Sequence, residues 1–255
     1  MAESFGTDVQ RYDRARPPYP DALVARVIAG SPGTEVLDIG CGTGIAARQF
    51  QAAGCAVLGV EPDERMAEAA RARGLVVEMA TFEDWQPAGR AFDAVIAAQS
   101  WHWVDPAAGA GKAAQVLHPH GRLAVFGHVY EPPAAIAEPF TEAFRRAVPD
   151  SPFSRQAARR PLQAYQQGYA AFADAIRDTG LFHEPEQWQF DWARPYTRGQ
   201  WLDLLPTTGG LTRLEPEALT SILNAVGCAI DEMGGSFIMQ YSTLATTAVL
   251  ADIRA

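Results

Sequence analysis

The feature that most constrains this 255-residue chain is a short apolar run followed at once by three alternating glycines. The run is Glu35–Ile39 and the glycines lie in Gly40–Gly44. Apolar residues of this kind are typical of a buried strand, and glycine at every second position lets a ligand approach the backbone of a tight turn. A helical pattern begins at Ile45, so the positive end of a helix dipole faces the turn. This stretch predicts a site for a nucleotide-like cofactor.

The glycine spacing argues against a dinucleotide. A pyrophosphate-binding turn needs glycine at the first, third and sixth positions. Counting from Gly40, the sixth position is Ile45, and the last glycine, Gly44, comes one place early. An NAD-dependent dehydrogenase is therefore the least favoured of the enzyme hypotheses.

The same stretch, with Asp38 before the glycines, resembles motif I of the class I S-adenosylmethionine (SAM) methyltransferases. The resemblance implies that the loop surrounds the amino-acid end of SAM, with S-adenosylhomocysteine (SAH) as the product. An ordinary glycine turn in another α/β fold is the alternative. The cofactor-binding residues that the resemblance implies in this stretch are Asp38, Gly40, Cys41, Gly42, Thr43 and Gly44.

Composition limits the partners. The net charge of −9 and the dispersed arginines argue against nucleic acid, which needs clustered Lys and Arg. No apolar run is long enough to span a bilayer, and the first residues lack a signal pattern. The three separated cysteines suggest neither disulfides nor zinc. We therefore expect a cytoplasmic protein with a small-molecule partner, no metal and no membrane contact, either monomeric or homodimeric.

A second strand, Cys55–Val60, ends at Glu61. An acidic side chain at this point lies beside the first loop, where its oxygens accept from both ribose hydroxyls. The alternative is a surface acid that starts a turn. Pro62, also assigned to the cofactor site, is a good first residue for the next helix. The family resemblance implies that Met66, one turn later, packs on the adenine.

The third strand, Leu75–Ala80, leads to Thr81, Phe82 and Glu83, which we assign to the cofactor. An acid in this loop can accept from the adenine amino group while an aromatic ring covers the base. Either Glu83 or Asp84 fits, and Glu83 is preferred because it follows Phe82.

The fourth strand, Ala94–Ala98, leads to Gln99, assigned to the cofactor, and to Trp101, His102 and Trp103. In a doubly wound sheet this is the ligand side. We assign both tryptophans to the substrate, although Trp103 is expected mainly to pack, whereas Trp101 offers its face to the sulfonium. His102 is the candidate catalytic residue, able to take a substrate proton; the alternative is a histidine that fixes its own loop. A His-Trp pair here resembles methyltransferases of small carboxylic acids. No N-P-P-[YF] element follows this strand, which argues against methylation of an amide or nucleobase nitrogen.

An arm precedes the first strand. Its prolines predict a short helix, an extended kink and a second helix over residues 21–29. The segment resembles a Y-x-x-x-R-P-x-Y-P element of small-molecule methyltransferases, here with Tyr12, Arg16 and Tyr19. The interpretation is a lid on the cofactor pocket in which Arg16 contacts the cofactor and the two tyrosines contact the substrate. The alternative is that the aromatic residues only pack the arm onto the sheet.

Beyond the fifth strand, residues 131–182 read as a helical insertion over the crevice, with Phe140 and Tyr165 as substrate-pocket candidates. The fold class is α/β: a Rossmann-like, seven-stranded, mostly parallel sheet with an antiparallel last strand and a helical lid insertion. We expect one methyltransferase domain over residues 1–255. Its parts are a lid arm (1–30), a SAM-binding core (31–130), the insertion (131–182) and the C-terminal strands and helices (183–255).

The function that follows is SAM-dependent methyl transfer to a small molecule, by in-line substitution at an oxygen of a carboxylate or hydroxyl group. An S- or C-methyltransferase on the same scaffold is one alternative. A non-catalytic SAM-binding protein is another.

Overall fold

A computed structural model describes residues 6, 8–149 and 161–252. One sheet of seven strands organises them, in the order β3-β2-β1-β4-β5-β7-β6. The strands are β1 (Glu35–Ile39), β2 (Ala56–Glu61), β3 (Val76–Met79), β4 (Phe92–Ala98), β5 (Leu117–Glu131), β6 (Glu186–Thr197) and β7 (Ser236–Val249). Strands β1 to β5 pair in parallel, and β7 is antiparallel to both of its neighbours. The predicted fold class is confirmed.

Nine helices of the described residues surround the sheet. They are α1 (Val9–Ala15), α2 (Asp21–Ala29), α3 (Ile45–Ala52), α4 (Glu64–Arg71), α5 (Pro106–Val116), α6 (Ala134–Ala147), α7 (Pro161–Asp178), α8 (Arg198–Leu204) and α9 (Pro216–Glu232). Side chains of α2, α3 and α4 cover one face of the sheet, and those of α5 and α7 cover the other. Because both faces are covered, the central strands are almost continuously buried.

Strands β5 and β6 are longer than the sequence predicts. The sequence predicts a turn at residues 118–121, a fifth strand over 122–127 and a sixth, alternating strand over 187–192, but β5 already begins at Leu117. The irregularity falls inside the strand, as a register shift against β4 with His120 at a φ of 64°. Pairing along β7 extends β5 to Glu131 and β6 to Thr197. Pro195 is tolerated in β6 because this strand lies at the edge of the sheet.

A third apolar cluster lies between α6, α8, α9 and the outer parts of β5, β6 and β7. It places the insertion helix α6 at the end of the sheet where β5 finishes. The N-terminal arm joins the same region, since Arg11 and Arg14 donate to the carboxylate of Asp203 in α8 at 2.9–3.2 Å. The arm and the C-terminal third of the chain therefore meet above the strand ends.

No helix in the described part of the chain is long and apolar enough to cross a membrane.

Candidate functional site

A cavity of about 880 Å³ opens at the carboxyl ends of the parallel strands. This is the edge at which open α/β sheets bind ligands, and the volume is in the upper part of the range for small-molecule sites. Its walls come from the ends of β1 to β5, from the arm, from α6 and α7, and from the loop before α9. The volume is large enough to hold two ligands side by side.

The glycine loop forms one wall. Gly40, Gly42 and Gly44 have φ angles of 62°, 56° and 82°, a region that glycine enters without strain. A side chain on Gly40 would lie 2.7 Å from the Cβ of Ser100, so glycine is also needed for close packing against the end of β4. Gly40 and Gly42 line the cavity. Of the other residues predicted here, Asp38, Cys41, Thr43 and Gly44 are buried and lie outside the cavity wall.

Glu61 joins this loop to β2. One of its carboxylate oxygens accepts from the Gly42 N–H at 2.8 Å, and the other accepts from the Asp63 N–H at 2.9 Å. The side chain lines the cavity, although the residue is only 5% exposed. Burial raises its pKa, and the two backbone N–H groups offset part of that rise. A carboxylate has about four lone-pair positions, so acceptor capacity is left on the cavity side.

Asp38 is a second buried carboxyl group near this loop, and the charge of Glu61 acts on it. It is completely buried, and neither of its oxygens has a hydrogen-bond partner of ordinary geometry among the described residues. Burial, and secondarily the charge of Glu61, raise the pKa of Asp38 to about 8, with the backbone N–H of Ala47 offsetting a part. The folded protein therefore holds Asp38 protonated at neutral pH.

The stability of the ligand-free protein should consequently fall as the pH rises. The Asp38 pKa lies near 3.8 without perturbation and at about 8 in the fold. Between these values the folded state keeps a proton that the unfolded state loses, so the free energy of unfolding drops by up to about 1.4 kcal/mol per pH unit. This effect is absent below pH 4 and complete above pH 8. Asp38→Asn removes it.

Thermal unfolding checks this expectation. The Tm of Asp38→Asn minus that of the wild type should be higher at pH 8 than at pH 5 by at least about 4 °C. The exposed Asp178→Asn variant serves as the control, and its difference from the wild type should not change with pH. An equal Tm difference for Asp38→Asn at both pH values would contradict the prediction.

The loop after β3 forms the opposite end of the cavity. Thr81, Phe82 and Glu83 line it, together with Pro62 and Met66 at the start of α4. Phe82 and Met66 are 3% and 4% exposed, so they offer apolar surface to a ligand. Asp84 does not line the cavity and instead pairs with Thr81 through the hydroxyl, at 2.9 Å. This arrangement favours Glu83 over Asp84 as the acid that faces a ligand.

Lys112, which sequence reasoning did not assign to the site, holds this loop. Its Nζ donates to the backbone oxygens of Glu83 at 2.7 Å and Trp85 at 2.5 Å. The ammonium also lies 5.4 Å from the ring centroid of Phe82. No sequence motif marks this role, because α5 and the loop are joined only by the folded chain.

Lys112 does not line the cavity, yet Lys112→Met should weaken cofactor binding because it disturbs the loop. Loss of the two hydrogen bonds loosens the loop, and the expected rise in the Kd for SAH is about three- to tenfold, since solvent screens part of their strength. Lys112→Arg keeps the charge and the donors and should lose less. Calorimetric titration gives the Kd, and amide hydrogen exchange of residues 81–85 reports on the loop. Unchanged exchange in Lys112→Met would rule out the positioning role.

The end of β4 is strained. Gln99 has a φ of 60°, which is uncommon for a residue with a side chain, and its N–H donates to the Phe126 carbonyl at 2.8 Å. A side chain at Gly127 would overlap the Gln99 side-chain oxygen, so the glycine makes room for it. Gln99 lines the cavity. Backbone strain at this point fits a residue that is held toward a ligand.

The two tryptophans have the reverse of the expected roles: Trp101 was expected to face the ligand and Trp103 mainly to pack. A single 3₁₀ turn, Trp101–Trp103, points them in different directions. Trp101 is 1% exposed and packs over Gly109 of α5, whereas Trp103 is 41% exposed and lines the cavity. The prediction that Trp103 mainly packs is therefore wrong for this structure, and Trp101 is the core residue.

His102 lies between them in the sequence and on the cavity wall. Its ring centroid is 4.5 Å from that of Trp103. Partial burial lowers the pKa of His102 below its ordinary value of 6.5. The imidazole is therefore neutral at pH 7 and able to accept a proton.

The arm contributes Tyr12 and Arg16 to the cavity wall. Tyr19 does not line it: the ring stacks on His128 with centroids 4.4 Å apart and meets Phe126 edge-on at 4.9 Å. The extended Pro-Tyr-Pro backbone turns this side chain into the sheet, where the residue is 8% exposed. The packing alternative thus describes Tyr19 better than the substrate contact that we predicted.

The insertion supplies Phe140 and Tyr165, both on the cavity wall as expected. Phe144, a further candidate that the sequence offers in the insertion, lines the cavity too. Sequence reasoning missed three other groups, namely Tyr130, Val148 just after α6, and the loop residues Thr208, Gly209, Gly210, Leu211, Arg213 and Leu214. Tyr130 was hidden because we ended β5 too early. The described residues contain no cluster of three His, Cys, Asp or Glu side chains suited to a metal ion.

The sheet order and a ligand cavity at the strand ends define the Rossmann-like class of cofactor-binding α/β proteins. Residues 37–125 match the family model described as a methyltransferase domain. Over 125 residues, 48% of this chain, the sequence is 38% identical to methyltransferases of Mycobacterium bovis and Mycobacterium tuberculosis that are described as uncharacterized. The stretch from β1 into β5 is therefore similar to a methyltransferase domain. The chain spans about half (51%) of the length of these curated relatives.

Two solved structures share the fold. A protein of Anaeromyxobacter dehalogenans, provisionally described as a type II methyltransferase, has a TM-score of 0.66 at 20% identity, over 92% of this chain and 97% of that one. Phosphoethanolamine N-methyltransferase 2 of Haemonchus contortus, solved with phosphomonomethylethanolamine and SAH, has a TM-score of 0.55 at 16% identity. That likeness covers 99% of this chain and 60% of the other. Identities at this level establish the fold alone.

Proposed function

We propose that this chain binds SAM in the cavity and transfers its methyl group to an oxygen of a small-molecule acceptor, a hydroxyl or a carboxylate. The observation that carries the proposal is Glu61, a buried carboxylate that ties down the glycine loop and still lines the cavity. It presents acceptor atoms where a ribose would need them.

The residues present fit the cofactor. Gly40 and Gly42 leave the loop backbone open on the cavity side. Met66 and Phe82 offer an apolar surface for a base, with Glu83 beside them as an acceptor. Gln99 and His102 occupy the wall between this end and the aromatic residues of the insertion.

SAM supplies an electrophilic methyl group on a positively charged sulfur. The chain's part is to orient both ligands in line and to exclude water from the space between them. For a hydroxyl acceptor, His102 would take the hydroxyl proton as the methyl group is transferred to that oxygen, with SAH as the second product. A carboxylate acceptor is already ionised and needs no base.

Calorimetric titration tests the proposal. The wild-type protein should bind SAM and SAH and should prefer both to NAD. Absence of SAM and SAH binding, or a preference for NAD, contradicts the main proposal. An S- or C-methyltransferase would give a thioether or a new carbon–carbon bond when products are identified by mass spectrometry.

The second candidate is a SAM-binding protein without catalysis. His102 lines the cavity, and no residue that the structure describes hydrogen-bonds to its ring, which is compatible with either function. Saturable SAM binding, with no SAH formed from any member of a panel of hydroxyl and carboxylate compounds, would favour the non-catalytic protein. We further propose that residues 1–255 act as one domain in the cytoplasm, with the arm and residues 131–182 as its lid.

A further inference from the structure

The cavity extends well beyond the part that the proposed cofactor site uses. Ala98, the last residue of β4, pairs with Phe126, yet β5 continues to Glu131. Tyr130 therefore stands four residues, or about 13 Å, beyond the end of β4. It lines the same cavity as Glu61, which ends β2 three strands away in the sheet. The space around Tyr130 forms a second compartment of the cavity.

Arg16 points its guanidinium into this second compartment. Its Nη1 donates to the Tyr130 hydroxyl at 3.2 Å, and its Nη2 donates to the Thr207 carbonyl at 2.5 Å. The ring of Tyr12 lies 4.8 Å from the guanidinium carbon. These contacts use two of the five N–H donors that an arginine has, and the buried Nε has no partner among the described residues.

Arg16 has no acidic partner in the part of the chain that the structure describes. No carboxylate of the described residues lies within 4.0 Å of it, whereas Arg11, Arg14 and Arg48 of the same region all have one. The acids that line the cavity are Glu61, which ends β2, and Glu83, which follows β3. Both strands are separated from β5 by β1 and β4. A partly buried cation without a counter-ion is unfavourable unless a ligand supplies the opposite charge.

Most of the other side chains that the insertion and the loop before α9 contribute to the cavity wall are apolar. They are Phe140, Phe144, Val148, Leu211 and Leu214, and the same loop also contributes Thr208 and Arg213. A ligand that satisfies both features has an apolar body and an anionic group.

We infer that the acceptor is an apolar or aromatic carboxylic acid whose carboxylate is bound by Arg16, with Tyr130 and Thr207 positioning the guanidinium. This inference rests on the proposed function, because the other compartment is taken to hold SAM. It differs from our sequence-based prediction, which gave Arg16 to the cofactor. The acceptor and the amino-acid end of SAM each carry a carboxylate that Arg16 could bind. The experiment distinguishes these two carboxylates.

The probes are 3-(4-hydroxyphenyl)propanoate and its amide, titrated calorimetrically into SAH-saturated protein. The wild type should bind the acid at least tenfold more tightly than the amide. Arg16→Gln should remove this preference, and Arg16→Lys should keep part of it. The control is Arg14→Gln, which changes an exposed arginine two residues away on the same arm and should keep all of this preference.

The cofactor source is tested with SAH and 5′-methylthioadenosine, which lacks the amino-acid carboxylate. Arg16→Gln should change neither Kd by more than about threefold. A tenfold loss for SAH alone would mean that Arg16 holds the cofactor, and it would overturn the inference. So would equal binding of acid and amide by the wild type. If wild-type protein fails to bind SAH, the proposed function fails instead, and the acid–amide preference is then measured on ligand-free protein.

Discussion

Replacing Glu61 by alanine should raise the Kd for SAH by roughly 5- to 150-fold, equivalent to about 1–3 kcal/mol. Two losses combine in this variant. The proposed acceptor of the ribose hydroxyls disappears, and the Gly42 and Asp63 N–H groups lose the carboxylate that they share. Calorimetry measures the sum.

A ribose-specific readout separates the two losses. The wild type should bind adenosine more tightly than 2′,3′-dideoxyadenosine, and Glu61→Ala should bind both equally. The exposed Glu64→Ala, on the first turn of α4, is the control and should behave as the wild type does. If Glu61→Ala keeps the preference for adenosine, Glu61 only supports the loop and the ribose assignment fails.

Replacing His102 by alanine should slow methyl transfer to a hydroxyl by about 10²- to 10⁴-fold, the usual contribution of a general base. The Kd for SAH should change little. The wild-type rate should rise with pH and reach a plateau as the imidazole loses its proton. Since burial lowers the pKa of His102, the midpoint of this rise should lie below that of an ordinary histidine. The variant should show no such rise. The sign follows because only the neutral imidazole accepts a proton.

A matched pair of acceptors shows whether a base is used at all. The acid 3-(4-hydroxyphenyl)propanoate offers a phenol and a carboxylate, whereas 3-phenylpropanoate offers the carboxylate alone. Mass spectrometry distinguishes the ether from the ester. The control is His118→Ala, which changes a histidine at the N-terminal end of β5, opposite the end that carries Tyr130. Ester formation that is unaffected by His102→Ala would assign the reaction to the carboxylate and leave His102 without a catalytic role.

The cofactor half of the cavity was predictable because its chemistry is local in the sequence. Gly40 and Gly42 lie in one turn, and Glu61 follows the next strand, so parallel pairing alone brings them together. The parallel pairing of β1 to β5 follows from the alternation of strands and helices. Each of these inferences needs only neighbouring elements.

The other half was not predictable for equally physical reasons. Tyr130 enters the cavity because β7 pairs along β5 beyond the point where the apolar pattern fades. The direction of Trp101 and Trp103 depends on a 3₁₀ turn that no propensity marks. Lys112 reaches the loop after β3 only in the folded state, and the loop before α9 carries no motif of its own.

The contact of the arm with α8 has a consequence for the order in which the chain folds. Arg11 and Arg16 bind partners 192 and 191 residues further on, at Asp203 and Thr207. Contacts between such distant parts form late, because closing a long loop is entropically unfavourable. On the ribosome, residues up to Gly127 can pair as β1 to β5 and hold Asp13 of the arm through Arg48, before Asp203 and Thr207 have been made. The cofactor compartment is thus the early part of the molecule, and the acceptor compartment is completed only after Thr207 has emerged.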